Sequence, residues 1–156
     1  MQNCRAGGEY FMMRSTGLRF DGVTLKGKYS FQYIEDAEFV NCNFDTKDAF
    51  WHAKRVVVRD SVIKGEYLGW YAEDVTFEHC RIIGTQPLCY CKNLTLIDCE
   101  MIETDLSFEK SSVQATLTAP IISIKNPLSG RITVPSVGEI IREDERYQAE
   151  IVVMGE

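Results

Sequence analysis

The sequence predicts an all-β fold: a single-stranded, right-handed parallel β-helix of about seven rungs, with three short strands per rung. Three observations predict it. Apolar residues recur on a 19-residue grid, they alternate with period two inside each line of that grid, and a column of charges changes sign from line to line. A fixed-period repeat is the signature of a stacked architecture. Alternation with period two is that of a strand with one buried face.

The lines start at Leu18, Ala37, Val56, Val75 and Leu94. The first strand of each line occupies positions one to three, with Ala37/Phe39, Val56/Val58 and Leu94/Leu96 among its inward pairs. A second strand covers positions six to eight, where Val23/Leu25, Cys42/Phe44, Cys80/Ile82 and Cys99/Met101 point inward. Gly27, Gly65 and Gly84 at position ten suit a turn of unusual φ. A third alternation runs through positions thirteen, fifteen and seventeen and places Trp51 and Trp70 inside. Only Ser30, Gln32, Ser61, Pro87 and Lys110 break the apolar rule at these seven positions. Identical positions on stacked coils lie about 4.8 Å apart, and right-handed winding is the strong default for parallel connections.

Positions eighteen and nineteen form a charged corner: Glu35-Asp36, Lys54-Arg55, Glu73-Asp74, Lys92-Asn93. A slip of one rung sets acid over acid, so this column reads as a register device. Cys4 and Gly8 continue the phase before Leu18, so the chain begins in mid-rung, with an open first coil. After Val113 the phase blurs, although Ile132 and Ile151 remain on the grid. One domain over 1–156 is expected, with regular rungs over about 4–112 and irregular rungs and a tail over 113–156.

Twenty-three acidic residues against 17 basic ones give a net charge of −6, which argues against a nucleic-acid partner. No stretch can span a bilayer, and the N-terminus lacks the apolar segment of a signal peptide. A cytoplasmic protein follows as the expectation, with its six cysteines reduced.

Several segments carry a family resemblance: GKYSFQY (27–33), DAFWHAK (48–54), GEYLGWYAE (65–73), GTQPLCYCKNLTL (84–96), TDLSFEKS (104–111) and SIKNPLSG (123–130). In this order, over about residues 4–141, the chain resembles the bacterial family named domain of unknown function 3737. The resemblance implies a pectin-lyase-type β-helix. It also implies that the chain corresponds to the C-terminal half of longer members. It supplies no reaction and no catalytic residues.

If positions thirteen, fifteen and seventeen point in, then twelve, fourteen and sixteen point out. They carry Tyr29, Phe31, Tyr33, Phe50, Tyr67, Tyr71, Leu88 and Tyr90. Exposed aromatic surface marks an interaction site. The expected ligand-binding residues are Tyr29, Tyr33, Asp48, Phe50, His52, Tyr67, Tyr71, Gln86, Tyr90 and Asp105. Tyrosine rings could stack on sugars while Asp48, His52, Gln86 and Asp105 reach hydroxyls; a subunit interface is the other reading.

Chemistry is harder to place. Asp105 and Glu109 lie about 13 Å apart along a strand, and Asp48 and Asp105 about 14 Å apart across three rungs. Both exceed the separation that glycosidases use. The cysteines at position six behave as small apolar residues, and no metal-ligand spacing occurs. His79 stands where other lines have Asn41, Asp60 and Asp98, which marks a turn residue. The expected function is therefore a non-catalytic module binding a glycan or protein through the strip, without metal or cofactor. The alternatives are a polysaccharide lyase or glycoside hydrolase, and a structural module assembling end to end. Homo-oligomers are expected through the open first rung or the strip, with no nucleic acid or membrane as partner.

Overall fold

A computed structural model describes residues 1–155. Fifteen strands carry the fold and no helix occurs among the described residues. In chain order the strands are β1 (Arg5–Glu9), β2 (Arg19–Asp21), β3 (Thr24–Lys28), β4 (Glu35–Val40), β5 (Asn43–Lys47), β6 (Lys54–Arg59), β7 (Val62–Lys64) and β8 (Glu73–Glu78). They continue with β9 (Arg81–Ile83), β10 (Lys92–Ile102), β11 (Ser112–Leu117), β12 (Ile121–Lys125), β13 (Ser129–Val134), β14 (Val137–Ile141) and β15 (Glu150–Val153). One wall stacks β2, β4, β6, β8, β10, β11, β13 and β15; a second stacks β1, β3, β5, β7, β9 and the end of β10. Every pairing is parallel, so the chain is a β-solenoid of about eight turns.

The 19-residue grid is the observed register: Glu38 faces Val57, Val57 faces Thr76, and Thr76 faces Thr95. The inward columns are buried as their alternation requires, with Phe39, Phe44, Val56, Val58 and Phe77 fully covered. A buried cluster links Phe20, Phe31, Phe39, Phe44 and Phe50 by ring contacts of 4.9–6.3 Å. The corner between the first two walls is a column of left-handed residues: Asn41, Asp60, His79 and Asp98, at φ of 48–52°. His79 is thus the turn residue its column implies. Gly84 is fixed by a close approach, since a Cβ there would lie 2.2 Å from the Gly65 carbonyl oxygen.

The third segment differs from expectation. Through the regular rungs it is a run of turns, and only β12 and β14 form a third sheet. Residues of positive φ alternate along it: Tyr29, Phe31, Tyr33, then Asp48, Phe50, His52. Strict in-and-out alternation belongs to a pleated strand; reversing φ at every second residue redirects each Cβ. Phe31, Phe50 and Leu88 therefore point inward and are fully buried, while Trp51 and Trp70 are half-buried.

Rungs are not all equal. Ser112 faces Ser129, a step of 17 residues, so Ile132 pairs with Ala115. Ile132 thereby occupies position three, although the grid assigns it position one. A two-residue shift keeps the period-two phase, which leaves Ile132 buried.

Candidate functional site

The turn wall displays two exterior columns of rings. In one, Tyr33, His52, Tyr71 and Tyr90 come from four successive rungs and stack face to face. Centroid separations are 4.7, 5.0 and 4.9 Å, with planes within 14° of parallel. The Arg14 guanidinium covers the free face of Tyr33 at 4.6 Å from its centroid. At the opposite end the Tyr90 hydroxyl donates to Glu109 at 3.1 Å, and Lys125 pairs with Glu109 at 3.3 Å. In the other column Tyr10 stacks on Tyr29 at 5.0 Å, and the Lys47 ammonium lies 5.5 Å from the Tyr29 centroid. Between the columns Trp51 and Trp70 stack at 5.2 Å with planes 2° apart. Their indole N–H groups donate to the carbonyls of Tyr67 and Gln86 at 2.6 and 2.8 Å.

Backbone and packing together hold these rings. Left-handed φ costs a bulky residue about 1–2 kcal/mol, and Tyr33, His52, Tyr71 and Tyr90 all adopt it. Each is held by a backbone bond between rungs, as when the Tyr33 N–H donates to the Trp51 carbonyl at 2.8 Å and His52 to Trp70 at 2.9 Å. Each stacked pair contributes about 0.5–1.5 kcal/mol beyond burial. The ladder that this backbone creates thus offsets part of the strain, and the bonds between rungs hold the rest.

Most residues expected to bind a ligand share this wall. Tyr33 and Tyr71 are 40% and 48% exposed, so both still present an edge. Tyr29, His52, Tyr67, Tyr90, Gln86, Asp48 and Asp105 are half-buried on the same face. Phe50 is the exception: it is fully buried and belongs to the core, because its left-handed backbone turns the side chain inward. The Asp105 carboxylate accepts the Thr85 hydroxyl. Sequence reasoning left out Arg14, Trp51, Trp70, Glu109 and Lys125. For Arg14 and Glu109 the signal was present, since both continue the position-sixteen column.

The electrostatics follow from burial against rings. Burial pushes the His52 imidazole below its ordinary pKa, and neighbouring Lys54 adds to this. Burial, then the Glu109 charge, pushes Tyr90 up to about 12, so its hydroxyl remains a donor at neutral pH. Burial also raises the Asp48 carboxyl, whose Oδ1 has no hydrogen-bond partner among the described residues.

Geometry limits what the wall can grip. Inside the ladder each ring face is covered by the next ring, so solvent meets edges, hydroxyls and imidazole nitrogen. A pyranose stacks on an aromatic face, and the ladder offers none between Tyr33 and Tyr90. Aromatic side chains fixed in advance, as in this edge-on tyrosine surface, lose little entropy on docking.

No curated protein matches the chain. No solved structure matches it. A family model matches residues 1–154, essentially the whole chain. The chain therefore belongs to the family described as protein of unknown function, DUF3737.

Proposed function

We propose that the protein is a non-catalytic interaction module whose aromatic wall docks a protein surface. The observation that carries this reading is the ladder from Tyr33 to Tyr90, rigid, preorganised and exposed at its edges. Tyr, Trp and Arg are the residues enriched at binding hot spots, and all three meet on this wall. A cytoplasmic setting, where the free thiols stay reduced, accords with it. Photo-crosslinking tests the reading. A benzophenone amino acid replaces Tyr71, or Ile97 on the outer face of the first wall as control, in cells that make the protein naturally. Defined polypeptide adducts at Tyr71 and none at Ile97 are expected. Absence of adducts at Tyr71, together with tight retention of an oligosaccharide on a glycan array, would replace the protein partner with a glycan.

A further inference from the structure

Two neighbouring rungs on this wall carry complementary outward residues. Lys47, Trp51, His52 and Lys54 stand on one, with Lys47 and Lys54 at the wall's two edges where β5 ends and β6 begins; Glu66, Trp70, Tyr71 and Glu73 stand at the same positions on the next. Lys47, Lys54, Glu66 and Glu73 form no ion pair among the described residues, and the Lys47 ammonium lies over the Tyr29 ring instead. We infer that the wall docks a second copy of this chain face to face and antiparallel, about a two-fold axis passing between these two rungs.

That axis brings each rung of one copy onto the other rung of its partner while keeping every column opposite itself. A lysine at position 47 then meets a glutamate at 66, and 54 meets 73. Trp51 meets Trp70, and His52 meets Tyr71. The flanking corner extends the match, because Glu35 comes opposite Lys92. A column that alternates in sign with rung number is antisymmetric about a point midway between rungs. Only an axis placed there pairs opposite charges. A parallel two-fold arrangement reverses the order of the columns and sets Lys54 against Lys47 and Glu73 against Glu66, and an antiparallel axis through the Lys54 rung sets Glu35 against Glu73. Like charges opposed across an interface cost enough to reject such arrangements. A C2 interface must be self-complementary in this sense. A standard interface takes about 800 Å² per partner, roughly a tenth of the 7677 Å² surface, which one wall of the solenoid can supply.

This inference rests on the docking reading above and names its partner. Sedimentation equilibrium tests it on the full chain. Wild-type protein is expected to dimerise in the micromolar range. Lys47→Glu and Glu66→Lys, each alone, oppose like charges and are expected to weaken the dimer at least about tenfold. Mixing the two variants in equal amounts aligns opposite charges again and restores the dimer in trans. An effect confined to one chain's own fold cannot produce that rescue, and circular dichroism melts of each variant identify a fold defect directly. A wild-type protein that stays monomeric through the micromolar range overturns the inference, as does a dimer indifferent to both reversals. Heterologous adducts at Tyr71 in a monomeric protein would sink the second copy and leave the docking wall standing.

Discussion

His52 lies between the rings of Tyr33 and Tyr71 with both faces covered. Its pKa is lowered by burial and by Lys54, so the unfolded chain takes up this proton more readily than the folded one. Stability is independent of this group above about pH 6.5, the ordinary value for histidine. It falls as pH drops toward the folded-state pKa, then levels off. Urea midpoints measured from pH 7.5 to 5.5 are expected to decline for the wild type, with a smaller decline for His52→Phe, which keeps the stack and removes the titration. Equal slopes would show that the imidazole is not held as described. The thiols make a second residue-scale case. Cys42, Cys80, Cys89, Cys91 and Cys99 are buried, and only Cys4 is half-buried. Burial drives the Cys89 and Cys91 thiols up to about 12, and a protonated thiol is a poor nucleophile. A disulfide reagent is therefore expected to modify one thiol rapidly in native protein, abolished by Cys4→Ser, and all six after unfolding.

The two strand walls were legible as elements because a pleated strand turns a period of two into sides, and every deviation there would bury a charge. The turn wall was legible as a repeat but not as a direction. Its composition showed the tyrosines of positions twelve and sixteen, yet nothing in the composition shows that φ reverses at Phe31, Phe50 and Leu88. Aromatic residues rarely take left-handed φ, so the pleated reading was the natural one. It misplaced Phe31, Phe50 and Leu88 outside and Trp51 and Trp70 fully inside. The charged corner was legible in part: Arg55 bonds Asp36 at 2.6 Å and Asn93 bonds Asp74 at 2.6 Å, both one rung apart, while Lys54, Glu73 and Lys92 stack in register without an ion pair among the described residues. Two substitutions test the elements. Gly84→Ala drives a Cβ to 2.2 Å from the Gly65 carbonyl oxygen, and a loss of about 2 kcal/mol or more in unfolding free energy is expected. Tyr71→Ala removes the stacks to His52 and Tyr90, for an expected loss of about 1–3 kcal/mol. A Tyr71→Phe protein keeps both stacks and is expected to stay near wild-type stability by the same urea assay.

At the scale of the molecule, stacking has turned one short pattern into a flat, ordered surface. The same 19-residue register that buries the apolar columns brings Arg14, the rings and Glu109 into one line. A shift of one rung would leave the core intact in type but break the sign alternation at the corner, so charge and ring ladders fix the register between them. Docking through the ladder's edge is the central claim, and tyrosine nitration mapped by peptide mass spectrometry tests it most directly. In dilute isolated protein, Tyr33 and Tyr71 are expected to nitrate readily, as their exposure of 40% and 48% requires. In intact cells both are expected to be protected, while Tyr10, at 49% exposure near the end of the wall, remains reactive. Equal nitration of Tyr33 and Tyr71 in both settings would contradict the account.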